Sequence, residues 1–122
     1  MKPTTSASEH AEQVAIVQWL TLHHITFCAV PNAGKRSHAA ANSLRAEGLQ
    51  AGFPDLLIFT VPPAREGACG VALEMKSRSK TARLEPLQKH WAGRLIDCGW
   101  VVLCTFGAKD AVDQLRALGY GR

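Results

Sequence analysis

The sequence predicts a single α/β domain, in which helices flank a central mixed β-sheet. A chain of 122 residues suits one hydrophobic core. Its 47% apolar and 20% charged residues are typical of a globular protein. Helical and β-type spacing of apolar residues alternate along the chain in the order α, β, α, β, β, α, β, α. This order favours a sheet with helices packed on its faces.

The first helix is predicted from Ser8, a suitable N-cap, to His23 or His24. Its apolar residues recur at helical spacing: Val14, Val17, Trp19 and Leu20. Residues 1–7 are polar and predict a flexible leader, so that the folded domain comprises residues 8–122.

A short β-prone run, residues 25–30, ends at Pro31 and leads into the turn-rich loop PNAGKRSH. Residues 38–47 are rich in alanine and predict the second helix, which Gly48 can terminate.

Two consecutive strands, residues 56–61 and 71–76, are separated by the turn sequence PPAREGACG and predict an antiparallel hairpin. Pro86 begins the third helix, because proline is favoured in a first helical turn. A buried strand over residues 100–105 and a last helix over about residues 110–118 complete the domain.

The second strand of the hairpin, VALEMK, carries two charged residues in an apolar context. Glu74 and Lys76 are two residues apart, so their side chains point to the same face of the strand. If Thr60 pairs with Val71, Asp55 lies opposite Lys76 and shares that face. The hairpin therefore predicts two carboxylates and an ammonium group close together.

Carboxylates this close repel each other unless a cation lies between them. Oxygen ligands suit Mg²⁺ or Mn²⁺, and a neighbouring lysine can stabilise charge that develops on a phosphate. The alternative is structural: Glu74 and Lys76 form a salt bridge on a solvated strand, and Asp55 is only a turn residue.

Composition excludes several other classes of protein. Four cysteines without a CxxC pair and five histidines without HxxxH spacing argue against a structural zinc site. No apolar run is long enough for a membrane span, and MKPTTSASEH lacks the apolar core of a signal peptide, so a cytoplasmic protein is expected. The net charge of +4 is compatible with nucleic-acid binding.

Five short motifs follow one another along the chain. They are Glu9 with Gln13; Pro31, Asn32, Gly34, Lys35 and Arg36; Gly52 to Ile58; Glu74 to Lys76; and Leu84, Pro86 and Gln88. In this order they resemble the VRR-NUC domain, the virus-type replication-repair nuclease of the PD-(D/E)XK superfamily, in its stand-alone phage and bacterial form. A PD…ExK pair alone is a weak signal, whereas five motifs in order are specific.

The resemblance implies a restriction-endonuclease-like fold and Mg²⁺- or Mn²⁺-dependent cleavage of DNA. By resemblance, Asp55, Glu74 and the Met75 backbone carbonyl bind the metal. Lys76 is the catalytic lysine, and Gln88 orients the site.

A glutamate of the first helix completes the catalytic set in this family. Glu9 has the family spacing to Gln13 and is favoured, while Glu12 lies one turn later on a similar face. The residues expected to bind DNA phosphates are Asn32, Lys35, Arg36, Arg78 and Lys80.

Small stand-alone members resemble dimeric enzymes that act on four-way DNA junctions. A homodimer that resolves Holliday junctions in the cytoplasm of a bacterial or phage-infected cell is therefore expected. Two alternatives remain: a nuclease that acts on flap or linear DNA, and a non-catalytic DNA-binding module on a nuclease fold.

Overall fold

The computed structural model describes residues 5–31, 38–78 and 83–121, and these contain the helices and strands in the predicted order. The helices are α1 (Thr5–Leu22), α2 (His38–Ala46), α3 (Pro86–Asp97) and α4 (Ala108–Ala117). The strands are β1 (Phe27–Ala29), β2 (Leu56–Ile58), β3 (Val71–Lys76) and β4 (Val101–Phe106).

The four strands form one mixed sheet in the order β1-β2-β3-β4. β1 with β2 and β2 with β3 are antiparallel, and β3 with β4 is parallel. A parallel pair needs a crossover connection, and the segment that contains α3 supplies it. The predicted fold class, a single small domain with a mixed sheet flanked by helices, is confirmed.

The hydrophobic core lies between one face of the sheet and the helices α1 and α4. Ile16 and Leu20 are four residues apart on α1, and Ala111 and Leu115 are four apart on α4, so each pair occupies one helix face. These side chains are buried in one cluster with alternate residues of β3: Val71, Leu73 and Met75. The apolar residues Val71, Leu73 and Met75 therefore anchor β3 in the core.

The predicted register of the hairpin is wrong. Ile58, rather than Thr60, pairs with Val71. The residues after Ile58 are bonded towards β1 instead: the Phe59 N–H donates to the Thr26 carbonyl at 2.8 Å, and the Thr60 hydroxyl accepts from the Thr26 N–H at 2.8 Å. β2 therefore ends at Ile58, and the loop that closes the hairpin is longer than expected.

The corrected register preserves the predicted grouping of charges. A displacement of two residues is one full side-chain period, so it leaves every side chain on its original face. Asp55 now lies next to Glu74, because it is bonded to the backbone of Leu73 and Met75 on either side of that residue. Lys76 is the diagonal neighbour.

Helix α1 begins at Thr5 rather than at Ser8. Residues 1–4 lie outside the described part of the chain, so the flexible leader over residues 1–7 stays a prediction. No helix within the described ranges is long and apolar enough to cross a membrane.

Candidate active site

The backbone of the hairpin fixes the position of Asp55. The Asp55 N–H donates to the Leu73 carbonyl at 3.1 Å. In return, the Met75 N–H donates to Asp55 Oδ2 at 2.7 Å. One carboxylate oxygen of Asp55 is therefore held by the neighbouring strand, and the side chain has a defined direction.

Gly52 and Pro54, which precede Asp55 in the chain, each have a structural role. Gly52 has φ +83, a conformation that side chains rarely adopt, and a Cβ there would lie 2.6 Å from Leu87 Cβ. Glycine therefore lets this segment pack directly on α3. Pro54 is buried and rigid. The GFPD motif thus sets the approach of Asp55 to the sheet.

Glu74 is buried, with only 6% of its surface exposed. Its Oε1 accepts a hydrogen bond from Gln88 Nε2 at 2.9 Å. Gln88 Oε1 in turn accepts from the Glu85 N–H at 2.7 Å, as in a capping box at the start of α3. The side-chain oxygen of Gln88 therefore caps the N-terminus of α3, and its side-chain nitrogen holds the carboxyl group of Glu74.

The second oxygen of Glu74, Oε2, is buried, and no described N–H or O–H group donates to it. A buried polar atom without a partner is uncommon and needs an explanation. The carboxyl groups of Glu74 and Asp55 lie within hydrogen-bonding reach of each other, so they can share a proton when Glu74 is protonated. Asp55 has only Oδ2 engaged by the described backbone. The two carboxyl groups therefore approach each other at the same end of the hairpin.

The electrostatics of this pair disfavour two negative charges. Burial, and next the charge of Asp55, raise the pKa of Glu74 to about 8. Burial also raises the pKa of Asp55, while its hydrogen bond from the Met75 N–H acts in the opposite direction. The positive charge of Lys76 lowers both pKa values but is a smaller influence than burial. An additional cation would allow both groups to ionise.

The donor set fits a hard divalent cation. Mg²⁺ is typically bound through one or two carboxylates and keeps several waters, so a complete cage of side chains is not required. Within the described ranges, no three or more side chains of His, Cys, Asp or Glu are grouped as metal ligands. The carboxylates of Asp55 and Glu74 and the Met75 carbonyl are the groups that would hold such an ion, and water would supply the other ligands.

The structural alternative for VALEMK, a salt bridge between Glu74 and Lys76 on a solvated strand, does not fit this geometry. Glu74 is not on a solvated face, because α3 covers it through Gln88. Among the described residues, the salt bridges within 4.0 Å are Arg78–Glu12 and Lys109–Asp113. The Lys76 ammonium group therefore forms no salt bridge with Glu74.

The two glutamates of α1 have different surroundings. Glu9 lines a cavity of about 530 Å³ together with Asp55 and Met75. Glu12 is 8% exposed, forms a salt bridge with Arg78 and accepts a hydrogen bond from the Ala108 N–H at the start of α4. Glu12 therefore caps a helix, whereas Glu9 faces the candidate site.

A second cavity of about 240 Å³ lies on the other side of Asp55. It is lined by Asp55, Glu74 and Gln88, and by residues of the segment that joins α2 to β2. Val30, Pro31 and Asp55 belong to both cavities. Asp55 therefore lies where the two cavities adjoin.

Most of the predicted DNA-binding residues, Asn32, Lys35, Arg36 and Lys80, lie outside the described residues. Arg78 is described: its side chain is 74% exposed and is paired with Glu12. Its carbon chain packs over Gly107, where a Cβ would lie 2.6 Å from Arg78 Cγ. Arg78 thus links α1 to the start of α4, and its contact with DNA stays a prediction.

Other cavity-lining residues were not predicted as site residues from the sequence. His10 and Gln13 line the first cavity beside Glu9, and Arg45, Gln50 and Phe53 line the second. Two of these had a signal in the motifs, because Gln13 belongs to the E-x3-Q spacing and Phe53 to GFPD. Arg45 had none, since it lies on a helix whose position only the fold determines.

Comparisons with known proteins identify the family and the fold of this chain. The profile of the VRR-NUC domain matches residues 7–105. A solved structure described as a VRR_NUC domain protein is similar to this chain with a TM-score of 0.72, at 20% sequence identity, over 98% of this chain and 91% of that chain. At this identity the likeness shows the fold. No match was found among curated proteins. Since the profile spans most of the sequence, the chain belongs to the VRR-NUC domain family.

Proposed function

We propose that this chain is a Mg²⁺- or Mn²⁺-dependent DNA endonuclease whose active site is formed by Asp55, Glu74 and Lys76. Membership of the VRR-NUC domain family implies nuclease-type chemistry. The observation that supports the metal dependence is the buried Oε2 of Glu74, which receives no hydrogen bond from a described N–H or O–H group and lies beside a second carboxyl group. In the metal-free protein a proton on Glu74 relieves the repulsion within this pair, and a divalent cation would replace that proton when both groups ionise.

The metal would be held by the carboxylates of Asp55 and Glu74 and by the Met75 carbonyl. A bound divalent ion supplies Lewis acidity and lowers the pKa of a bound water. Gln88 keeps one oxygen of Glu74 engaged and thereby directs the other towards the site. The Met75 N–H does the same for Asp55.

Lys76 and Glu9 complete the proposed catalytic set. Lys76 is half-buried at the end of β3 and makes no salt bridge within the described part of the chain. Its ammonium group is available to stabilise negative charge that develops on the phosphate. Glu9 lies across the first cavity from Asp55 and adds a carboxylate from α1.

The proposed substrate is DNA, in particular four-way junctions cut by a homodimer. A two-fold dimer would present two active sites to a two-fold junction. Phosphate contacts are assigned to Asn32, Lys35, Arg36, Arg78 and Lys80, and they would supply salt-dependent affinity.

A panel of labelled substrates tests the activity and its selectivity. Linear duplex, single-stranded, flap and four-way junction DNA are incubated with Mg²⁺, with Mn²⁺ and with EDTA. We expect cleavage only with metal, fastest on the junction, and abolished in Asp55→Ala and Lys76→Ala. Glu66→Gln, at an exposed carboxylate in the loop at the other end of the hairpin, is the matched control.

Each alternative predicts a different result in this panel. A non-catalytic module would bind DNA in a salt-dependent manner without any metal-dependent cleavage. A nuclease for flap or linear DNA would cut those substrates at least as fast as the junction. A strictly monomeric protein by light scattering at several concentrations would contradict paired incision.

A further inference from the structure

The smaller cavity beside the carboxylates is lined by a positively charged side chain, that of Arg45. Asp55, Glu74 and Gln88 line one side of this 240 Å³ space, and Arg45 and Gln50 line another. Arg45 is the one cation among the described residues that line it. A guanidinium group and a carboxyl pair therefore share one space.

The charge of Arg45 has no acidic partner among the described residues. Its Nη1 donates to Asn42 Oδ1 at 3.0 Å, which is a neutral amide on the same helix. No described carboxylate lies within 4.0 Å of it, including Asp55 and Glu74 across the cavity. Asn42 orients the guanidinium group without neutralising it, so further N–H donors remain available.

The segment between Arg45 and the carboxylates is braced against the rest of the fold. The Leu49 N–H donates to the Leu44 carbonyl at 2.9 Å and closes the end of α2. Gly52 then packs directly on Leu87 of α3, and Phe53 packs edge-on against Trp91 with ring centroids 5.2 Å apart. Packing on α3 therefore fixes the part of this segment that leads into Asp55.

We propose that Arg45 binds a phosphate of the DNA backbone in this cavity, next to the phosphodiester that is cut. This proposal rests on the proposed function, because it places the substrate strand beside Asp55 and Glu74. A guanidinium group can hold two phosphate oxygens at once, which positions the strand as well as attracting it. It also offsets the repulsion between a phosphate and two carboxyl groups. Arg45 thus anchors a flanking phosphate, while Lys76 faces the reacting one.

The test measures DNA binding, so it does not depend on cleavage. The Asp55→Asn variant serves as the parent, and Arg45→Ala, Arg45→Lys and Arg65→Ala are added to it. Arg65 is an exposed arginine in the loop at the far end of the hairpin, so its removal changes the net charge equally. We expect Arg45→Ala to weaken binding about tenfold, with Arg45→Lys intermediate and Arg65→Ala close to the parent.

A scan with single methylphosphonates identifies the contact. Each neutral methylphosphonate replaces one phosphate of the substrate, and affinity is measured for every position. We expect one position near the cut site at which the substitution weakens binding by the parent but not by Arg45→Ala. Identical profiles for both proteins, or an equal loss for Arg65→Ala, would overturn the assignment of Arg45.

Failure of this inference and failure of the proposed function give different results. If the wild-type protein cleaves DNA with metal but the methylphosphonate profiles are identical, only the role of Arg45 is wrong. If the wild type does not cleave DNA but the profiles differ at one position, Arg45 is a phosphate contact in a binding module. If the wild type does not cleave DNA and neither it nor the parent binds DNA, both proposals are wrong.

Discussion

Glu74 makes the stability of the metal-free protein depend on pH in a specific direction. Its pKa is raised from 4.5 to about 8 in the folded protein, by burial and by the charge of Asp55. Between these values the folded state binds a proton that the unfolded state has lost. The stabilising contribution is therefore complete below about pH 4.5 and is lost as the pH rises through about 8.

The size of this effect follows from the shift. Each pH unit between the two pKa values corresponds to about 1.4 kcal/mol of unfolding free energy. The shift of Glu74 to about 8 therefore corresponds to a loss on the order of 5 kcal/mol across the full range. Native proteins have only about 5–15 kcal/mol of stability in total, so the loss should be measurable.

Substitution of Glu74 by glutamine should remove this dependence. The glutamine side chain is isosteric and neutral, and it retains an oxygen for the hydrogen bond from Gln88. We expect Glu74→Gln to be the more stable protein above about pH 8 in EDTA, while the two differ little near pH 5. Urea unfolding at several pH values measures this, with the exposed Glu66→Gln as control. Parallel stability curves for wild type and Glu74→Gln would refute the reasoning.

Three further perturbations separate the roles of neighbouring residues. Gln88→Ala should weaken Mn²⁺ binding about 10- to 100-fold in a calorimetric titration, because it releases Glu74. Glu12→Gln should lower the free energy of unfolding by about 1–2 kcal/mol in urea, because Glu12 caps α4 and pairs with Arg78. Glu9→Gln should instead slow DNA cleavage with little effect on stability. The opposite pattern would exchange the roles of the two glutamates. Gly52→Ala should destabilise the protein by about 1–3 kcal/mol, since it strains a positive φ and collides with α3; wild-type stability in urea would contradict this.

Much of the fold and the central part of the site follow from local patterns. The order of the elements depends on hydrophobic spacing, which each segment carries in its own sequence. Asp55, Glu74 and Lys76 share a face because side chains alternate between the two faces of a strand. The grouping was predicted correctly although the predicted register was wrong by two residues, since two residues are one full side-chain period. The long loop of the hairpin did not specify that register, because its first residues bond to Thr26, the residue before β1.

The features that sequence reasoning missed depend on how distant elements pack. The sequence left Glu9 and Glu12 open as alternatives on one helix, and contacts of Glu12 with Arg78 and with the start of α4 distinguish them. Arg45 has no motif of its own, and only the fold brings it to the cavity that Glu74 also lines. Such contacts are long-range, so spacing within a segment carries no information about them.

The central claim is that Asp55 and Glu74 form the metal site of a nuclease, and Mn²⁺ titration calorimetry tests it most directly. Because Glu74 has a pKa of about 8, metal binding at pH 7 must displace its proton. Titrations in two buffers with different ionisation enthalpies reveal that proton. We predict Mn²⁺ binding with release of about one proton at pH 7, lost in Asp55→Asn and Glu74→Gln and retained in Glu66→Gln. Equal Mn²⁺ binding by all four proteins, or binding without proton release, would contradict the claim.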